Sequence, residues 1–275
     1  MQVTLSAGPA DIRLTEAEEQ ALADVMTLGR TTHGAISRSA AATARAYQPD
    51  HHNAESRLQE RKYLAVKRTG ELVVDTWVAA VLGTFALGRV IVDVRVRVEG
   101  ATEQRVTFGR VGHLAVERSV EANGDSLYRA VPAPAVWLER LVELAEVATL
   151  PAAVDASSML VRRSRLLWAR ALGVSDGPAA AAASLVRDGM PALTAEALAA
   201  TLADARSQVG LSMSARQPGS TRLQPIYGLT LLSGPRTAWV TEELTTRATH
   251  LVVQSVDALA MGTRLQSIVA LAWSL

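Results

Sequence analysis

The chain has 275 residues, 49% of them apolar and 20% charged, with 28 Lys and Arg against 27 acids. This composition supports a buried core and excludes disorder of the whole chain. It gives no overall charge bias toward nucleic acid or an anionic membrane. Cysteine is absent, which excludes disulfides, thiolate nucleophiles and Cys-bound zinc.

In chain order, VTLSA suits a short strand, and LTEAEEQALADVM predicts a helix. Thr15 and Glu18 have capping-box spacing, in which each side chain takes the other's orphan N–H. The early acids Asp11, Glu16, Glu18 and Glu19 do not fit a signal peptide. Residues 34–55 are small, polar and weakly periodic, and part of this stretch reads as a mobile loop. Helices are expected over 55–66 and 74–86. The apolar run 76–88 stops at Arg89, short of the ~20 residues a spanning helix needs.

Strands follow at 89–98, 105–109, 113–120 and 125–131. Their joints around Gly100, Gly112 and Asn123-Gly124 are short enough for antiparallel hairpins. In RVIVDVRVRVEG, Val90, Val92, Val94, Val96 and Val98 alternate with Arg89, Ile91, Asp93, Arg95 and Arg97. Alternate side chains point to opposite faces of a strand, so one face is dry and the other largely charged. A helix is expected over 134–147, and ATLPAAVDAS forms a joint around Pro151. Helices at 157–172, 179–187 and 194–207 come next. Strands at 209–215, 224–232, 238–244 and 250–255 lead to a last helix at 257–273.

The order helices, meander, helix thus occurs twice. HLAVERSVEANGDSLYRAVPAPAVWLERLVELAEVA aligns without a gap on TAWVTEELTTRATHLVVQSVDALAMGTRLQSIVALA. Val116 meets Val240, Leu127 meets Leu251, Arg140 meets Arg264, Leu141 meets Leu265 and Leu144 meets Ile268, each pair 124 apart. Upstream, Ala79-Ala80 and Leu82 meet Ala199-Ala200 and Leu202 at 120. Such repetition predicts two α+β halves, 1–150 and 151–275, forming a single domain with one shared antiparallel sheet.

No catalytic constellation emerges. Asp50-His51-His52 could ligate a metal, but His33, His113 and His250 are scattered and supply no spaced third ligand. A solvated loop or helix start is the plainer reading, so neither metal nor cofactor is expected. GDSLY and GLSMS lack the second glycine of a nucleophile elbow, and no GxGxxG or P-loop occurs. Glu139, Glu143 and Glu146 read as the wet face of a helix. Arg162, Arg163, Arg165 and Arg170 could clamp phosphates. Leu166, Leu167 and Trp168 break that basic face, which favours a solvated or protein-docking surface. Tyr63, Trp77, Trp137, Trp168, Trp239 and Trp273 sit amid apolar periodicity and are expected in the core.

Three segments carry a resemblance that extends over most of the chain. They are ERKYLAVKRTGELVVDTWVAAVLGTFALGRVIVDVRVRVEG, read as helix, Gly turn, helix and charged strand; GHLAVERSVEANGDSLYRAVPAPAVWLERL; and AWVTEELTTRATHLVVQSVDALAMGTRL. In these the sequence resembles the EspG family, cytosolic chaperones of actinobacterial type VII (ESX) secretion. The resemblance implies an α+β fold, a central antiparallel sheet flanked by two helical bundles with quasi-two-fold symmetry. It implies a non-enzymatic protein that binds a helical secretion substrate, typically the tip of the PPE protein in a PE–PPE pair. Neither nucleic acid nor membrane insertion is expected, and a homodimer is left open. The implied contact surface is the sheet, the loop 98–104 and parts of 157–206. Its candidate residues are Arg95, Arg97, Glu99, Gly100, Thr102, Gln104, Arg163 and Trp168. A ligand-responsive transcriptional regulator, another non-catalytic scaffold and an enzyme without a recognisable motif stay open as alternatives.

Overall fold

The computed structural model describes residues 11–31, 49–154, 157–243 and 249–275. VTLSA and residues 34–48 of the expected loop lie outside them. β1 (Ile12–Leu14) leads into α1 (Glu16–Thr31), whose start is the expected capping box: Glu18 N–H donates to Thr15 Oγ1 and Thr15 N–H to Glu18. α2 (Pro49–Glu60), the hairpin of β2 (Leu64–Val66) and β3 (Leu72–Val74), and α3 (Thr76–Leu87) follow. Asp75 caps α3 by accepting from the N–H groups of Trp77 and Val78. Next come β4 (Val90–Val98), β5 (Gln104–Val111), β6 (Leu114–Val120), β7 (Ser126–Ala130), α4 (Pro134–Leu144) and a 3-10 turn, Val147–Thr149. Then follow β8 (Ser158–Arg162), α5 (Arg163–Ser175), α6 (Pro178–Arg187), α7 (Ala192–Ala203), β9 (Ser207–Arg216), β10 (Leu223–Ser233), β11 (Ala238–Glu243), β12 (His250–Ser255) and α8 (Ala258–Ser274).

Two expected helices change. The helix expected over 55–66 runs instead from Pro49 to Glu60, and Leu64–Val66 is a strand. The helix expected from 157 starts only at Arg163, because residues 158–162 find backbone partners on β12. Such tertiary pairing overrides local propensity.

One sheet holds ten strands in the order β1-β7-β6-β5-β4-β9-β10-β11-β12-β8, every neighbour antiparallel. The order is the same read from either end in terms of equivalent strands, with β4 and β9 in the middle. Val90, Val92, Val94 and Val96 lie buried with Phe108, Leu211, Met213, Leu229 and Leu231 beneath α4 and α8. Phe108 stacks on Trp137, which meets Trp273 edge-on. On the other face, α1, α2 and α3 cover Ile12, Leu14, Val116 and Tyr128 at one end. At the opposite end α5, α6 and α7 cover Val161, Trp239, Leu251 and Val253. Among the described residues, no helix covers the middle of that second face.

The repeat is real but its registers differ element by element. Trp137, Leu141 and Leu144 of α4 are buried, as are Met261, Leu265 and Ile268 of α8, each 124 further on. The strands do not keep that spacing. Val116 packs under the first helical group, whereas Val240 packs under α4 and α8. Arg140 and Arg264 each bind a carboxylate on the strand below, Glu117 at 3.2 Å and Glu242 at 2.6 Å. Those acids are 125 apart. Glu117 lies opposite Phe108, and Phe108 opposite Val92; Glu242 lies opposite Leu229, and Leu229 opposite Leu211. Val92 is therefore equivalent to Leu211. The pseudo-axis falls on the central pair Asp93↔Ser212. In the helices upstream, Thr84 bonds the Ala80 carbonyl and Thr201 the Ala197 carbonyl. Those two threonines are 117 apart, against the 120 of the upstream sequence match.

Leu141 and Leu265 are 2% and 1% exposed. Leu141→Ala and Leu265→Ala should each cost ~2–5 kcal/mol, the usual range for a buried leucine. Urea unfolding should give comparable losses for the two if they are equivalent positions of one repeat.

Candidate partner-binding cleft

The bare middle of the second face is a cleft with the sheet as floor and helices as walls. β4 contributes Asp93, Arg95 and Arg97, the residues between its buried valines. Two hollows meet at Asp93. The larger, about 660 Å³, is lined by Arg105, Thr107, Arg118 and Tyr128 of the sheet, with Leu82 and Phe85 of α3 and Glu19 of α1. The smaller, about 400 Å³, is lined by Arg95, Gly210, Ser212, Gly228 and Thr230, with Arg163 of α5 and Glu243 of β11. A Cβ built on Gly210 would meet no neighbour, so the sheet backbone is bare there.

Most floor and wall charges are already paired. Thr107 Oγ1 donates to Asp93 at 2.8 Å. Arg118 binds Glu19 at 3.0 Å, and the Tyr128 hydroxyl donates to the same carboxylate at 2.5 Å. Arg163 binds Glu243 at 3.0 Å. Arg97 binds Glu103 and holds its carboxyl below the usual value. Arg95 and Arg105 differ. They stand directly opposite each other across β4 and β5, and neither makes an ion pair among the described residues. Like charges in this position cost roughly 0.2–1 kcal/mol.

The candidate residues divide into three groups. Arg95 and Arg163 are brought together in one hollow. Arg97 lies further along β4, toward the turn. β4 runs to Val98 and β5 starts at Gln104, so the loop is five residues, with Glu99, Gly100 and Thr102 exposed. Gly100 has φ 73°, the left-handed region that suits glycine. Glu99 N–H donates to the Arg206 carbonyl at 2.9 Å, which ties the loop to the joint before β9. Trp168 is not part of the cleft wall. It is 56% exposed rather than in the core, and five residues along an α-helix turn it roughly 140° from Arg163. Arg105, Gly210, Ser212, Gly228 and Thr230 were not among the candidates. Alternation in VGLSMS carried the signal: Val209, Leu211 and Met213 are buried, and the small residues between them face the cleft. The backbone of Asp50-His51-His52 opens α2, while the side chains of His51 and His52 lie outside the described residues. Among the described residues no cluster of three potential metal ligands occurs, and no helix is long and apolar enough to cross a membrane.

No family model and no curated protein sequence matches the chain. Among solved structures it is similar to the type VII secretion system chaperone EspG5 of Mycobacterium tuberculosis, in complex with a PE25–PPE41 dimer. The identity is 15% and the TM-score 0.65, over 94% of this chain and 95% of that one. The chain has the EspG fold. Within it, the segment at 60–100 is not helix, Gly turn, helix: the turn at Gly70 joins β2 to β3. Burial matters to the two tyrosines packed at this sheet. Tyr128 and Tyr227 are both pushed above the usual phenol value, chiefly by burial.

Two outcomes follow for this EspG-fold sheet. Arg105→Thr should leave stability unchanged or raise it by up to ~1 kcal/mol, since it removes a like-charge pair; a clear loss in thermal unfolding would contradict the unpaired reading. The raised tyrosines stabilise fully below the unfolded phenol value of ~10 and lose that contribution as pH rises beyond it. Tyr128→Phe should flatten the alkaline fall in urea midpoint.

Proposed function

We propose that this protein is a cytosolic, non-enzymatic chaperone that holds a helical type VII secretion substrate, of the PE–PPE kind, on its open central cleft. The observation that carries this reading is the bare, half-charged middle of an otherwise covered sheet, in a chain with the EspG fold. An antiparallel sheet can leave a polar face to water, and the described helices leave the middle of this one open, so an outside partner can reach it. EspG5 in its complex with a PE25–PPE41 dimer supports the partner class. The cleft suits a helix with an apolar ridge, facing Leu82, Phe85 and the bare strand at Gly210, and with carboxylates that reach Arg95 and Arg105.

Release for export calls for moderate affinity. A Kd of ~µM to nM corresponds to roughly −8 to −12 kcal/mol, within reach of an interface of ordinary size. The regulator alternative draws no support from the basic helix. Arg163 is paired with Glu243, Arg165 lies 3.6 Å from Asp188, and Arg170 donates to Gln208. Those contacts leave no free row of cations to follow a phosphate backbone.

The test is co-expression with PE–PPE pairs of the same genome, followed by size exclusion. One pair should co-elute with the chain as a stable complex. The double change Arg95→Glu and Arg105→Glu should weaken it by ~2–5 kcal/mol, as for loss of desolvated charge contacts. Replacing loop 99–103 with Asn-Gly should abolish binding; it removes the Arg97–Glu103 pair and the bonds of Glu99 N–H to Arg206 and Ala101 N–H to Val98, so stability should fall by ~1–3 kcal/mol. Should no pair bind while the protein retains DNA or turns over a small molecule, the chaperone reading fails.

A further inference from the structure

The two ends of the sheet are finished differently. β1, at one end, is three residues long, and its Arg13 carbonyl accepts a hydrogen bond from the Arg61 guanidinium. Arg13 itself pairs with Glu121 at 2.8 Å. Short strands and outward charge are the ordinary ways of blunting an edge. β8, at the other end, is five residues long and among the described residues pairs with β12 alone. The Arg163 N–H donates to the Thr249 carbonyl at 2.9 Å. In an antiparallel ladder hydrogen-bonded pairs alternate, so 163, 161 and 159 turn their backbone groups toward β12. Ser158, Leu160 and Arg162 turn theirs outward. No hydrogen bond to the outward N–H and C=O of Leu160 occurs among the described residues.

Beside this free edge lies a hollow of about 400 Å³. Val161, Leu185, Met190 and Pro191 form its apolar part, and Arg162 and Arg165 flank it. Arg165 is shared with Asp188 at 3.6 Å, while Arg162 has no ion pair among the described residues. Leu160, on the edge itself, is 65% exposed. The site thus offers unpaired backbone groups, an apolar socket and a cation, all within one strand's length.

We propose that the β8 edge binds an extended segment of a partner protein by antiparallel strand addition. That segment sets apolar side chains opposite Met159 and Val161, on the side of the socket, and a carboxylate opposite Arg162. Main-chain bonds supply affinity in this mode and alternate side chains supply selectivity. The site is separate from the central cleft and does not depend on what that cleft holds. A second copy of β8 fits less well. It would set Arg162 opposite Ser158, and its own Met159 and Val161 already pack beneath its helices, so the socket would stay unfilled.

The probe is fluorescein-labelled acetyl-Thr-Glu-Leu-Val-Leu-Thr-amide, titrated into the full chain and followed by anisotropy. In antiparallel register its Glu meets Arg162, its Val meets Leu160 and its Leu residues meet Val161 and Met159. Saturable binding is expected. N-methylation of the probe's Val should weaken binding at least tenfold, since that N–H bonds the Leu160 carbonyl. N-methylation of the Leu before it should have little effect, because that N–H points away. Replacing the probe's Glu by Lys should weaken binding, and Arg162→Glu should restore it. Leu160→Pro should abolish binding without changing the melting curve, because an edge N–H that faces solvent can be lost without harm to the ladder. If that variant does not fold, the two N-methylated probes decide. Absence of binding, or equal effects of the two N-methyl groups, would overturn the proposal. A dimer of the chain that Leu160→Pro dissociates would also overturn it, in favour of self-pairing.

Discussion

The antiparallel ladder between β4 and β9 is the constraint on which the rest of the structure depends. It joins the two repeats by backbone bonds from Val90↔Ala215 to Val98↔Ser207. Because a strand's side chains alternate, this ladder gives the sheet two unlike faces at its centre. The valines, Leu211 and Met213 must be covered, and α4 and α8 cover them. Asp93, Arg95, Gly210 and Ser212 on the opposite face need no cover. The remaining helices can therefore withdraw to the ends. The cleft is thus a consequence of how the core closes.

The same symmetry explains why the cleft has two unequal sides. The pseudo-axis passes through Asp93↔Ser212, an acid facing a hydroxyl. On one side the floor carries Arg105 and Arg118, and on the other it carries Gly228 and Thr230. The symmetric frame therefore has an asymmetric floor. The ion pairs Arg140–Glu117 and Arg264–Glu242 show the reverse case, in which both repeats keep one device for seating a helix on a strand. Both pairs are largely screened from water, where geometry rather than net energy is the main gain.

This chain has the EspG fold at 15% identity to EspG5 and contains no catalytic motif. A scaffold of this type tolerates such divergence because its core asks for apolar residues of about the right size at the right period. Its outward surfaces are then free to change. Among the described residues the surfaces left open are the central floor, with Arg95 and Arg105, and the β8 edge, with Leu160 and Arg162.

Much of this was legible in the sequence. Alternation marked the dry and wet faces of β4, the capping box marked the start of α1, and the repeat marked the shared sheet. Arg95 and Arg97 could be named because they alternate with the buried valines, and Arg163 because the resemblance pointed to the basic run at 162–170. Other features were decided only by tertiary structure. Trp168 looked like core because its neighbours do, yet which side of α5 is covered depends on where α6 and α7 pack. Residues 158–162 became an edge strand because β12 offered backbone partners. The strand registers of the repeat differ by one residue from the ungapped match, and a one-residue slip exchanges the two faces of a strand. An alignment of apolar letters tolerates that slip, because Val116 and Val240 are both buried, one beneath each layer of helices. Only the paired backbones say which layer, since a strand's face is set by the neighbour to which it bonds.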